Sequence, residues 1–260
     1  MSYYPILKAP DAHGWTTLCN FAPNNWEVTR NSAMSVNVTW PSADGWVTKS
    51  LTMLEPHAMR TFTSADIARL VPEDALALLS LTLSVPPAFS DSLPKLGTLQ
   101  TTVPAWRATL GLSTTTGQTS YQGEIDPFTP QGTLLTFGPF IQYGVDIQNF
   151  LILLNIENSP VYRYAELEIY TADGDFKGQF KVRNNESNII PLDSFGFQPD
   201  ELPVFICRGM AGIPLYFSRT ADGSFLSLEH THPPSSLVVH GRRWEAQKIL
   251  KTRWFNRGRE

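Results

Sequence analysis

The residues of this 260-residue chain with the clearest capacity for chemistry are His230 and His232, in the stretch TADGSFLSLEHTHPP, Thr220–Pro234. Imidazoles at i and i+2 of a strand leave from the same face, and two such nitrogens are half of a tetrahedral zinc site. His240 is the nearest further histidine in sequence, and His57 and His13 are more distant candidates. On this reading His230, His232 and His240 are the metal ligands, and the cofactor is a divalent transition metal such as zinc. A barrel-type metal site would place a carboxylate a few residues after the pair, whereas Pro-Pro-Ser-Ser follows here. Two other readings stand beside it: imidazoles packed or water-bonded at the open end of a sandwich, and a ligand or acid/base site.

No catalytic residue is identified by motif. GxGxxG, GxxxxGK[ST], GxSxG and HExxH are all absent from the sequence. Without a βαβ pattern there is also no Rossmann helix end to hold a pyrophosphate. The acids of Glu124–Asp126 and of Asp200-Glu201 read as solvated loop residues. Tryptophans such as Trp15, Trp26, Trp40, Trp46 and Trp106 suit either stacking on sugar rings or a β core, so a carbohydrate or small-molecule ligand is one candidate partner.

The last twenty residues, GRRWEAQKILKTRWFNRGRE, carry seven Lys/Arg against two Glu, while the rest of the chain carries 13 against 22. That split is the strongest charge signal present. Helical spacing places Ala246, Ile249, Leu250 and Trp254 on one face. The residues named for partner binding are Arg242, Arg243, Trp244, Lys248, Lys251 and Trp254. An acidic body makes packing on that body, or on a neighbouring subunit, a better account of this tail than a membrane surface or nucleic acid.

Something must position these groups, and strand signals dominate: short β-branched and aromatic runs punctuated by 20 Pro and 17 Gly. Ala-Asp-Gly occurs at 43–45, 172–174 and 221–223, each time between apolar alternations, which predicts three hairpins with Asp-Gly in a two-residue loop. That turn predicts Leu167 opposite Phe180, Glu166 opposite Lys181 and Ala165 opposite Val182. At the first hairpin it predicts Val38 opposite Leu51 and Val36 opposite Met53. At the third it predicts Leu228, His230 and His232 opposite Phe217, Leu215 and Ile213. The two histidines then share an inward apolar face, and Glu229 points the other way with Tyr216.

The order of segments around the first two hairpins recurs at a spacing of about 130 residues, with Asn20 and Asn155 in matching places. A short helix is predicted after Ser64, as N-cap, ending before Pro72. The expected fold is all-β: two tandem, duplicated antiparallel sandwiches, jelly-roll-like or immunoglobulin-like, with a short C-terminal helix. The expected divisions are 1–130, 131–240 and a basic amphipathic tail at 241–260.

A chain with 42% hydrophobic residues can bury a core. Its formal net charge of -4 gives no global reason to expect nucleic acid. No apolar run is long enough to cross a bilayer, and no secretory signal is recognisable, so a cytoplasmic protein is expected. Cys19 and Cys207 both sit in apolar runs and read as free thiols. Functionally these features favour a non-catalytic, homo-oligomeric binding or assembly protein; the alternatives are a metal-dependent enzyme at the His-x-His pair and a carbohydrate-binding module.

Overall fold

A computed structural model describes residues 3–20, 32–94, 109–139, 141–144, 146–230 and 243–257. The chain is all-β, with four antiparallel sheets and two short helices among the described residues. It divides into two compact units. The first comprises residues 1–127 with 156–162 and 185–187; the second comprises 128–155, 163–184 and 188–260.

The first unit holds β1 (Tyr4–Pro5), β2 (His13–Cys19), β3 (Met34–Ser42), β4 (Gly45–Leu54), β5 (Met59–Thr63), α1 (Ser64–Ile67), β6 (Leu78–Thr82), β7 (Phe89–Ser90), β8 (Thr109–Ser113) and β9 (Gln118–Gln122). Its sheets run β1-β6-β3-β4-β7 and β5-β2-β8-β9. The core between them joins Val36, Val38 and Trp40 of β3 and Leu79 of β6 to Leu18 of β2 and Phe62 of β5. Period-2 alternation sends these residues to one side of each strand. The other side of β3 carries Ser35, Asn37 and Thr39, also buried. These are satisfied laterally: Asn37 Nδ2 donates to Thr82 Oγ1 at 2.8 Å, and the Thr39 and Thr48 hydroxyls pair at 2.9 Å.

The returning segments belong to this unit through polar contacts. Trp46 Nε1 and Leu93 N both donate to the Asn158 carbonyl, at 2.8 and 2.7 Å. Asn185 accepts from Glu157 N at 2.7 Å and donates to Ser159 O at 2.8 Å.

The second unit holds β10 (Leu134–Phe137), β11 (Ile147–Asn155), β12 (Tyr164–Thr171), β13 (Phe176–Arg183), β14 (Glu186–Pro191, beginning in the 185–187 segment), a 3-10 turn (Leu192–Phe195), β15 (Pro203–Cys207), β16 (Ile213–Thr220), β17 (Leu226–His230) and α2 (Arg243–Asn256). Its sheets run β10-β15-β12-β13 and β14-β11-β16-β17. Their shared core includes Leu151, Leu153, Leu167, Ile169, Phe205 and Tyr216.

The two strand orders are the same order. Reading β10 to β15 as β1 to β6, and β16 and β17 as β8 and β9, converts one unit into the other, with β7 as the one added strand among the described residues. Even α1 and the 3-10 turn follow equivalent strands, β5 and β14. One topology is therefore built twice, and eight strands in two four-stranded sheets is the strand count of a jelly roll. The predicted match of Asn20 and Asn155 holds. Each is buried at the end of equivalent strands β2 and β11, with its amide donating to a backbone carbonyl, Leu54 at 2.9 Å and Ala211 at 2.6 Å.

Two of the three predicted hairpin registers are observed. Leu167 faces Phe180, Glu166 faces Lys181 and Ala165 faces Val182; Leu228 faces Phe217 and His230 faces Leu215. The first hairpin differs: Val38 pairs with Lys49 and Val36 with Thr52, because Ser42 and Gly45 close the loop and a bulge follows at Val36/Asn37. Gly45 serves another purpose, since a Cβ there would lie 2.4 Å from the Phe89 ring of β7. The predicted helix is also shorter and starts one residue earlier, with Thr63 rather than Ser64 as N-cap. Thr63 Oγ1 accepts from Asp66 N while the Asp66 carboxylate accepts from Thr63 N, a capping box.

Candidate functional site

Among the described residues β17 lies at the edge of its sheet, and its pairing with β16 decides which face each side chain takes. His230 shares the side of Leu215, Phe217 and Leu228, as its register predicts, and is half-buried. That side is apolar, but it is not the face toward the core of its own sandwich. Tyr216, on the opposite side of β16, occupies the core, its ring centre 5.9 Å from that of Phe205. The inward placement expected for His230 is thus corrected: β11 and β16 are apolar on both sides, and the histidine lies on the second side. The sequence Phe150-Leu-Ile-Leu-Leu154 foretells this, because a continuous apolar run, unlike an alternating one, belongs to a strand buried on both faces. Phe150 and Phe217 stack there with ring centres 6.0 Å apart.

His232 and His240 lie outside the described residues. His13 and His57 are exposed and belong to the other unit. Among the described residues no group of three or more His, Cys, Asp or Glu is arranged to hold a metal ion. The four tryptophans whose side chains are described, Trp15, Trp40, Trp46 and Trp254, are all buried, so none of them offers a face to a sugar ring. Trp26 and Trp106 lie outside the described residues. Cys207 is buried in the core, and burial pushes its thiol up, as it does for the half-buried Cys19.

The basic tail yields the most defined geometry. Trp254 of α2 is only 5% exposed and lies against the outer side of the β10-β15-β12-β13 sheet, among Leu135, Tyr170, Val204 and Ile206. Phe137 meets the indole edge-on at 5.7 Å and Tyr170 at 6.1 Å. Two cations secure the C-terminal end of the helix. The Arg257 guanidinium lies 4.4 Å from the centre of the Trp254 ring and donates to the Asp173 carbonyl at 3.2 Å. Arg208 forms an ion pair with Glu168 and donates to the carbonyls of Phe255 and Arg257, at 3.3 and 3.2 Å. The Phe255 carbonyl belongs to the last turn of the helix and carries part of its negative end charge, so a guanidinium there is favoured both by hydrogen bonding and by the macrodipole. Glu168 also accepts from the Tyr170 hydroxyl at 2.8 Å.

Of the residues named for partner binding, Trp254 is therefore committed to its own unit. Ile249, expected on the buried face, is instead 65% exposed. Lys248, Lys251 and Arg253 are exposed beside it. Arg243 and Trp244 lie in α2, and Arg242 lies outside the described residues. Arg208 was not among the sequence candidates, although alternation from Val204 through Ile206 carries the same outer face to position 208.

At one end of the β11–β16 pair, three loops form a polar cluster. Asp193 accepts from the Asn149 backbone and side-chain nitrogens at 2.9 and 3.0 Å, and Ala221 N donates to Asp146 O at 3.1 Å. Tyr143 donates to Phe197 O at 2.8 Å, and Glu201 pairs with Lys177 at 2.7 Å. Burial first, then the fields of Glu201, Asp193 and Asp200, raise the Tyr143 phenol above its ordinary range. In the adjoining hairpin loop the Asp222 carboxylate accepts from the Thr220 hydroxyl, the Ser224 amide and the Ser224 hydroxyl, which hold its pKa down to about 2.

No protein family model, no curated protein and no solved structure matches this chain.

Proposed function

We propose that this chain is a non-catalytic binding or assembly protein that associates with copies of itself, built from two sandwiches of one topology. The observation that carries this reading is the disposition of α2. Its aromatic residue and helix end are locked onto the sheet by Arg208 and Arg257, while Lys248, Lys251 and Arg253 are left facing solvent on a held platform. A helix fixed in this way presents its charges at little ordering cost, which favours contact with a partner. The body that accompanies it is acidic, so a copy of the same chain carries the complementary charge.

Sedimentation velocity over a concentration series tests the reading. Mass that rises with concentration is expected; a monomer at every concentration, up to hundreds of micromolar, would remove self-assembly from the account.

A further inference from the structure

The outward strip of α2 and the acidic loop end of the same unit are a matched pair, and this inference rests on the assembly reading above. The strip carries Lys248, Lys251 and Arg253 around the exposed Ile249. Among the described residues neither Lys248 nor Arg253 has an ionic partner. The loop end carries Asp193, Asp200 and Glu201, whose fields reach the half-exposed Tyr143, with exposed Asp146 and Asp222 in the adjoining loops; Lys177, paired to Glu201, and Arg219, bonded to Gln148, are cations at this end. Among the described side chains, each surface thus has one apolar or aromatic residue with an excess of one sign of charge beside it, and the signs are opposite.

On the described part of α2, intramolecular packing has used the aromatic ring that other partners would need. Stacking on nucleic-acid bases calls for exposed aromatic rings, and insertion into a lipid surface calls for an exposed apolar helix face. The Trp254 ring is consumed by the sheet, and Ile249 is the one exposed large apolar residue described on α2. The net negative body would also repel phosphate.

We infer that the outward strip of α2 docks on the loop end around Tyr143 and Asp200 of a second copy, head to tail. Because the two patches differ, the contact is heterologous, and repetition gives a ring or an open filament rather than a closed two-fold dimer.

The test uses the full chain and two variants, K248E/K251E/R253E and D146K/D200K, with light-scattering mass measured at 50 mM and 500 mM salt. All the reversed side chains are exposed, and Asp193, Glu201 and Asp222, which hold loop structure, are left alone; because Asp146 sits at a φ of 63°, D200K alone is measured beside the pair. Each variant alone is expected to associate about tenfold more weakly than the parent, the parent to weaken at high salt, and a mixture of the two variants to regain association. Parent association that is insensitive to salt and to both variants would overturn the docking proposal while leaving self-assembly intact. Recovery in the mixture cannot come from misfolded chains. Salt-dependent binding of a single-stranded oligonucleotide by the parent, lost in the helix variant, would reassign the strip to nucleic acid.

Discussion

Arg257 covers the ring of Trp254 at 4.4 Å, so the residue that follows α2 shields the residue that anchors it. The pair converts a short basic helix, which would be marginal alone in water, into a fixed part of the second unit. Trp254→Ala removes the anchor. Its full cost as a core truncation is about 3–5 kcal/mol, but local undocking limits the loss to whatever the helix contributes. The expected result is therefore rapid amide exchange across 243–257 with slow exchange retained in β12 and β15. Uniform loosening of the whole unit would mean that the helix is integral to its core.

Arg208→Ala separates packing from capping. Two terminal carbonyls lose their donor and Glu168 loses its counter-ion, while Trp254 stays in place. Fraying confined to the last turn of α2 is expected in exchange measurements, and an unaffected last turn would show that solvent replaces the guanidinium without loss.

Acid should act on the third hairpin through Asp222. Its folded pKa of about 2 lies below the ordinary 3.8, so the ionised carboxylate stabilises the loop at and above pH 4. That contribution declines as pH falls below 4 and is gone below about 2. Asp222→Asn should flatten this part of the stability profile while leaving the profile between pH 5 and 8 unchanged. A carboxyl titration by NMR with a midpoint near 3.8 would contradict the hydrogen-bonded loop.

The cap of α1 can be tested directly. Thr63→Ala removes the acceptor for Asp66 N and should cost about 0.5–2 kcal/mol, read from urea unfolding. Ser64→Ala should cost little, because Ser64 is inside the helix; the opposite order would restore the cap to Ser64.

Metal content separates the assembly reading from the His-x-His reading. Elemental analysis of the purified chain is expected to give substoichiometric metal, unchanged in His230→Ala/His232→Ala. One equivalent of zinc, lost in the double variant, would displace the assembly reading.

Much of this architecture was legible in local sequence. Asp173-Gly174 and Asp222-Gly223 led to the observed pairings through the apolar alternation of the flanking strands, although neither pair forms the expected two-residue loop: Thr171 and Asp175 close one around 172–174, with a bulge at Ile169/Tyr170, and Thr220 and Phe225 close the other around 221–224. Asp44-Gly45 misled because Gly45 is required by the Phe89 ring, a contact 44 residues away that no local rule contains. His230 was placed correctly across from Leu215, but which side of β16 faces the sandwich core depends on the second sheet, and only Phe205 against Tyr216 reveals it. The capping role of Arg208 was hidden for the same reason: its partners, Glu168 and the carbonyls of 255 and 257, come from segments 40 or more residues distant.

The doubled strand order has a consequence for how such a protein can change. In both units the inner sides of equivalent strands are interchangeable in character, Val36 and Val38 in one and Leu167 and Ile169 in the other. Their outer sides have nothing in common: a hydroxyl and amide lattice on β3, an aromatic seat for a helix across β12 and β15. The shared topology rests on one side of each strand alone, which leaves the other side free to carry a different surface in each half.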